Sequence, residues 1–523
     1  MPHQELHDWM PRFEYLGEPL GSFLLQNERK GMDAYHSLSR GSSSTASELD
    51  PLQVTALTQQ GAFLLPDKEL CDELVDDFFQ WVAPILPVID MTSFLNEYKN
   101  GRSSLLLFQT ILLTASKISK SPRLLHAAGS KMSASGTFYK RAKALYDAGY
   151  ESDRIAILQS LILMGWYCED PRGVQTTFYW TRTAIAVAQS MGMHRSVTSA
   201  NLSPPEKRLY KLIWWTLFTR DRLLSVCLGH PMGINLAHCD VETINERNVA
   251  ETEDLARQPY LSQPLHAAFV VQYVKLSEII GHIYSTYYSP GSKAGKEESE
   301  TCLEYEKRLT NWLQQRPPEM VWQKAPHEFW ASVLHLHYCA AICLLHRAYM
   351  QARKEKLPSE DSSPTSGVHL SQEAAYSAAS CITDIVETLM SSSQLNSTTP
   401  FIVYCLYSAL LVHIQRIHTH TGPTLFPITS RADVCLYALR ELSKSWTVAN
   451  LVYTMFCYLL TMNLEKNGGP GHGQPHVALP HIQPQVAVPS PNVDTSFTRF
   501  TATSGFDFQA MGLLNLEVGQ FSA

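Results

Sequence analysis

Ser203-Pro204-Pro205-Glu206-Lys207-Arg208-Leu209-Tyr210-Lys211-Leu212-Ile213-Trp214-Trp215-Thr216-Leu217-Phe218-Thr219-Arg220-Asp221-Arg222 decides the fold class. Leu209, Leu212, Ile213, Leu217 and then Leu224 recur three, four or seven apart, with Arg208, Lys211 and Arg220 between them. That is the period of a helix with one buried face. Ser203 stands where a helix cap belongs, and the prolines fall in the first turn, where a missing N–H costs nothing.

Working outward, the same periodicity runs through 104–118, 138–149, 154–168, 178–191, 266–285, 328–350, 371–390, 400–415 and 430–464. Gly192 follows the run that ends at Met191, at a position where a left-handed C-cap favours glycine. No run of short alternating strands bounded by turn residues competes with this pattern. The expected fold is all-α, a large multi-helix array of antiparallel helix pairs with a disordered C-terminal tail.

Three segments divide the chain: a weakly ordered residues 1–50, a helical domain over 51–465, and the tail over 466–523. The stretch 357–370, rich in Ser, Pro and Gly, reads as a surface linker. From Gly468 onward, prolines and glycines prevent a helix. Near the end, Phe506-Asp507-Phe508-Gln509-Ala510-Met511-Gly512-Leu513-Leu514 mixes aromatic, acidic and leucine residues. Such a segment suits either an activation segment that folds into a coactivator groove or a tail that tucks back on the domain.

Composition narrows the function classes. Apolar residues make up 45 % of the 523 and charged residues 17 %, the balance of a globular chain. The net charge of -7 and pI near 6.3 are the reverse of a surface that neutralises phosphates. The basic clusters at 139–143 and 353–356 read as solvated helix faces. The polar start, Met1-Pro2-His3-Gln4-Glu5, has no secretory or transit character. The longest charge-free apolar runs, 155–168 and 401–414, are short for a bilayer. A soluble intracellular protein without a membrane partner is expected. The 11 cysteines sit singly on apolar helical patterns, as free thiols in a reducing compartment would.

The search for reactive constellations yields little. Gly291-Ser292-Lys293-Ala294-Gly295-Lys296-Glu297 resembles a phosphate loop, but it is one residue short and ends in glutamate where a Mg²⁺-binding hydroxyl belongs. Neither a Gly-x-Ser-x-Gly elbow nor a His-Glu-x-x-His helix occurs. His413, His418 and His420 lack an acid or thiol to complete a metal site. Cys339 and Cys343, beside His346, share a helical face and read as packing thiols. Asp221 and Asp240 are isolated acids without partner geometry. No catalytic, cofactor-binding, metal or DNA-binding residue is assigned, no cofactor is expected, and the chain does not read as an enzyme.

From Leu65 to Glu242 the chain resembles the fungal-specific transcription factor domain, the middle region of fungal zinc-cluster activators. The likeness lies in Leu65-Pro66 with Glu73-Leu74 and Phe78-Phe79, then Pro87-Val88-Ile89-Asp90 with Ser93-Phe94-Leu95, then Phe138 to Tyr146. It continues through Trp180, Ala184-Ile185, Ala188-Gln189 and Met191-Gly192-Met193-His194-Arg195. Last come Trp214-Trp215, Arg220-Asp221-Arg222, Ser225 and Gly229-His230-Pro231, where His230 replaces the family's usual arginine. Read as residues, Ala184 and Ala188 allow close helix approach, the tryptophans bury large area, and the Arg-Asp-Arg run ties helix ends by charge-assisted hydrogen bonds.

The resemblance implies nuclear location and control of a metabolic or secondary-metabolite gene set. It differs from the family at the start: the first cysteine is Cys71, and residues 1–50 hold no six-cysteine zinc module. The leading expectation is a transcriptional regulator or coregulator that reaches promoters through a DNA-binding transcription factor partner, its helical domain setting activity by binding either that partner or a small-molecule effector. Direct DNA contact stays open, because a native protein beginning further upstream with the cysteine module fits the same residues. The alternative of a different class is a cytoplasmic metabolite-binding or scaffolding protein derived from such a regulator.

Overall fold

Short polar side chains start the helices. Asp67, Asp90, Ser104, Ser130 and Asp153 each accept from a backbone N–H two or three residues on, satisfying donors that a first turn leaves open. At Ser203 the Glu206 carboxylate reaches back over the first turn, its Oε2 accepting the Ser203 backbone N–H at 2.7 Å and the Ser203 hydroxyl at 2.6 Å. The computed structural model describes residues 50–168, 173–249, 263–289, 298–356, 366–419 and 425–467.

Those residues form seventeen α-helices and no strand. The first nine are α1 (Pro51–Gln59), α2 (Lys68–Asp77), α3 (Met91–Lys99), α4 (Leu105–Ile118), α5 (Pro122–Ala128), α6 (Lys131–Asp147), α7 (Arg154–Met164), α8 (Gly173–Ser190) and α9 (Pro204–Leu228). The remaining eight are α10 (Glu246–Val249), α11 (Gln263–Tyr288), α12 (Glu298–Gln315), α13 (Phe329–Lys356), α14 (Ser366–Ser391), α15 (Ile402–Thr419), α16 (Leu425–Leu442) and α17 (Thr447–Asn467). Helices pack chiefly against near neighbours in sequence: α4 on α6 and α7, α9 on α11, and α13 on α14. The α11–α13 contact joins the first group of helices, up to α11, to the second, from α13 onward.

One apolar core runs through both groups. Trp214 and Phe218 of α9 are fully buried, as are Ala184 and Ala188 of α8, whose small side chains let a neighbour come close. Trp215 donates its indole N–H to the Glu242 carbonyl at 3.0 Å, pinning the chain beyond α9 to the domain. After α9, Gly229 takes a left-handed φ of 67°, which a β-carbon would disfavour. α2 runs on into a π-helical turn, Phe78–Val82, that delivers Ile85 and Leu86 to one wall of a central cavity. Phe329–Ala352 is long and apolar enough to cross a bilayer by composition, but 83 % of its most apolar 18-residue window is buried inside the bundle. It reads as a core helix.

Three elements depart from the sequence expectation, the first being the linker read over 357–370, whose residues from Ser366 already belong to α14. The single period expected over 430–464 is two helices, because the chain turns at Ser443–Trp446. No Gly or Pro marks that turn. Its reason is tertiary: Trp446 is wholly buried, edge-on to Trp166 and with the Lys117 ammonium 5.0 Å from its ring. Conversely, α12 lies in a stretch whose charge hid its period. Cys302, Tyr305, Leu309 and Trp312, spaced three, four and three, supply a narrow buried stripe. Residues 1–49 and the tail from 468 onward lie outside the described residues.

Candidate functional site

Three consecutive charged residues on α9, Arg220, Asp221 and Arg222, leave the helix about 100° apart and meet three different environments. Asp221 is 2 % exposed and heavily paired. It takes Arg182 Nη1 at 2.9 Å and Arg222 Nη1 at 2.7 Å, and accepts the N–H groups of Gly233 and Ile234 at 2.9 to 3.0 Å. The Arg222 guanidinium also lies over the Phe218 ring, 4.1 Å from its centroid. A Cβ at position 233 would sit 1.5 Å from Arg182 Nη1, so any larger residue there would have to displace the end of the Arg182 side chain.

Arg220 takes the other direction. Its Nε donates to Thr181 Oγ1 at 3.1 Å, and among the described residues no carboxylate pairs with it. Gly165 makes room for it, since a Cβ there would fall 2.6 Å from Arg220 Nη2. Burial lowers the Arg220 guanidinium to about 10, which still leaves it cationic at neutral pH.

The space in front of Arg220 is a cavity of about 160 Å³. Its walls come from α9, α11, α15 and α17, closed by Ile85, Leu86 and Trp166. They are mostly apolar, and the polar groups are largely committed. Thr216 and Thr219 donate back to carbonyls of their own helix. The Tyr273 hydroxyl meets His337 Nε2 at 3.1 Å, while His337 Nδ1 meets the Val333 carbonyl at 2.7 Å. A carbonyl only accepts, so Nδ1 carries the proton and Tyr273 donates to Nε2. Burial pulls His337 down to about 4, which keeps it neutral. The cavity is therefore apolar around one cation. Arg220 among the lining residues is the group able to answer a ligand's negative charge.

The other residues singled out in the sequence are dispersed. His413 is buried, with Nε2 3.0 Å from Thr383 Oγ1, and burial pulls it down to about 4. The side chains of His418 and His420, and the whole 291–297 loop, lie outside the described residues. Asp240 accepts from Arg195 Nε at 3.0 Å and from the N–H of Ser196 at 2.8 Å. Partial burial works against its charge, but these hydrogen bonds win and lower it. His230 stacks edge-on against Phe178, 4.6 Å between centroids.

Cys343 is buried, with its thiol 3.7 Å from the Ala375 carbonyl. Cys339 does not share that environment. It meets Cys381 of α14 and His335, all within 4.8 Å. Sequence reasoning missed both partners: His335, four residues before Cys339 on the same helix, was open to the spacing argument, whereas Cys381 comes from another helix, which spacing does not report. Arg316 places a guanidinium on His335 Nδ1 at 3.1 Å, which disfavours a metal ion there. Cys302, Glu306 and His346 form a second group within the same radius, with donor atoms of metal-binding type. Burial raises Cys302 to about 12 and raises Glu306, holding both towards protonated forms that bind metals poorly.

Comparison with known proteins gives a consistent result. Residues 75–314 match the family described as the fungal specific transcription factor domain. The chain is 43 % identical over 455 residues to cutinase transcription factor 1 alpha of Fusarium vanettenii, covering 85 % of this chain and 49 % of that protein. It is 27 % identical over 456 residues to an acetamidase regulatory protein of Aspergillus fumigatus, covering 84 % and 55 %. A fusaric acid cluster transcription factor of Fusarium oxysporum f. sp. lycopersici is 24 % identical over 246 residues, 46 % of this chain and 37 % of its own. The chain thus spans about half the length of the curated relatives it matches first. No solved structure matches. Residues 75–314 are a fungal-specific transcription factor domain.

Proposed function

We propose that this chain regulates transcription of a fungal metabolic or secondary-metabolite gene set and that a small anionic molecule bound before Arg220 sets its activity. The carrying observation is a cationic guanidinium, held by the domain shared with transcription factors, facing an otherwise apolar cavity that α15 and α17 beyond that domain help to close. A charge in low dielectric costs several kcal/mol when no partner offsets it, roughly the scale that an anionic ligand can return. A cavity of ~150 Å³ accommodates a benzene-sized body. The effector is therefore a compact monocarboxylic acid with an apolar body.

The helical domain reaches promoters in the nucleus through a DNA-binding transcription factor partner. The chain's net charge of -7 supports a partner, since it opposes the basic surface that phosphate contacts need. The cavity equally suits a cytoplasmic metabolite-binding protein, and location separates the two readings. Genome-wide chromatin occupancy of the tagged chain, in its native host, is the test. Sharp promoter peaks over metabolic genes are expected. A flat profile with the protein abundant in the cytoplasm would transfer the cavity's role to metabolite binding alone.

A further inference from the structure

α13 and α14 are the two helices packed most extensively on each other, and one point of their contact holds chemistry that packing does not explain. His335 and Cys339 stand four apart on one face of α13, and Cys381 faces them from α14. The two sulfur atoms and a ring nitrogen of His335 lie within 4.8 Å of one another. Cys339 is 2 % exposed, whereas Cys381 is only partly buried, so a small solute reaches Cys381 first.

The histidine is held in a defined state. Arg316, just beyond α12, donates from Nη1 to His335 Nδ1 at 3.1 Å. A guanidinium has only donors, so Nδ1 must accept and the ring proton sits on Nε2. Trp322 lies nearly parallel to the imidazole, 5.6 Å between centroids and 11° between planes, and Tyr338 stacks at 5.4 Å. The ring cannot turn freely, and its remaining N–H is the donor available to a thiolate.

We propose that Cys381 and Cys339 form a thiol pair oxidised reversibly by hydroperoxides, with Cys381 as the attacking sulfur, Cys339 as the resolving one, and His335 and Arg316 as positioning residues. Hydrogen bonds from Cys339 first, and then from His335, draw Cys381 well below the ordinary thiol range against the effect of its burial. Cys339 moves the other way, raised by its bond to Cys381 and by burial. The charged groups around the pair favour this assignment. Arg316 adds positive charge from the α12 side, while Asp384 of α14, which opposes the thiolate, is occupied by Arg431 of α16 at 3.0 Å. Tyr338, raised chiefly by burial, stays protonated.

The steps balance with a hydroperoxide as oxidant. The Cys381 thiolate attacks the terminal peroxide oxygen, the O–O bond breaks, and sulfenic acid forms as hydroxide or alkoxide leaves and takes a proton. Cys339 then attacks that sulfur, its proton passes to the departing hydroxyl, and water leaves as the disulfide closes. Two electrons pass from the two thiols to the peroxide. The product staples α13 to α14.

The test uses the full chain, reduced and then exposed to hydrogen peroxide at low molar excess, with the cysteines mapped by mass spectrometry. The expected result is a Cys339–Cys381 cross-linked peptide, reversed by dithiothreitol, while the other nine cysteines remain thiols. Iodoacetamide on the untreated chain at pH 6 should label Cys381 roughly tenfold faster than Cys71, a measurement that needs no variant. Cys339→Ser should leave a sulfenic acid at Cys381 that dimedone traps. Arg316→Met should slow both reactions and move the pH profile of alkylation upward, a change that a merely structural role would not produce. Oxidation spread evenly over the cysteines, or a Cys381 no faster than Cys71, would overturn the proposal. So would one Zn²⁺ per chain that shields the pair from alkylation, which would reassign the cluster to a metal.

Discussion

The two sides of α9 place the same residue type under opposite conditions. On one side Arg222 and Arg182 share the buried carboxylate of Asp221, whose remaining lone pairs take the N–H groups of Gly233 and Ile234. On the other, Arg220 has a single neutral acceptor in Thr181 and opens on an apolar cavity. The first arrangement satisfies itself and holds the fold. The second is incomplete among the described residues and is read as recognition. Burial alone does not separate the two roles; the presence of an acid does.

The sharpest break of this comparison is Asp221→Ala. It strands two guanidinium groups and two backbone donors, and should destabilise the domain by about 3–5 kcal/mol in urea unfolding. A loss under ~1 kcal/mol would show that the Arg182–Asp221–Arg222 knot is ornamental. Next in size is Gly233→Ala, whose new methyl would collide with Arg182 and force it off Asp221. A cost of about 1–3 kcal/mol is expected, measured by the same unfolding curve. If Gly233→Ala unfolds at the wild-type midpoint, the close approach is not a constraint.

A smaller effect comes from the histidines that the core holds neutral. Burial lowers His266, His337 and His413 to about 4 each. Their folded-state values lie below the unfolded value near 6.5, so the unfolded chain binds more protons between these limits. Their contribution is complete above about pH 6.5 and is lost as pH falls towards 4. Urea midpoints should therefore drop steadily from pH 7 to pH 5, and His337→Phe should flatten that slope. A midpoint independent of pH in this window would contradict the neutral buried histidines.

The smallest stability change belongs to Arg220→Met. Replacing a half-buried cation that has no carboxylate partner among the described residues by an apolar side chain of similar length should leave stability within about 1 kcal/mol of wild type or raise it. A loss as large as that of Asp221→Ala would make Arg220 a second structural arginine and erase the contrast.

Much of the fold was legible in the residues. The period from Leu209 to Leu224, the serine cap and the first-turn prolines all describe α9 as it stands, whereas its glycine stop at Gly229 lies outside that reading. The turn at 443–446 was not, because Trp446 is placed by Trp166 and Lys117 from distant helices rather than by a local breaker. The site was half legible. Arg220-Asp221-Arg222 is visible as a charged run in an apolar helix, but a run of three does not say which member faces a cavity. Cys339 stood out beside Cys343 through helical spacing, whereas its chemical partner, Cys381, lies across the linker in the next helix. Spacing finds faces, and only packing finds pairs.

The most direct test of the contrast is ligand-dependent thermal unfolding of the wild-type chain and Arg220→Met, with hexanoate and benzoate set against hexanol and benzyl alcohol. The account predicts that the acids raise the wild-type Tm more than the matched alcohols do. It also predicts that Arg220→Met loses this preference, with acid affinity falling roughly tenfold or more, about 1.4 kcal/mol. Equal shifts for acids and alcohols, or a preference that survives in Arg220→Met, would contradict it and return Arg220 to the scaffold.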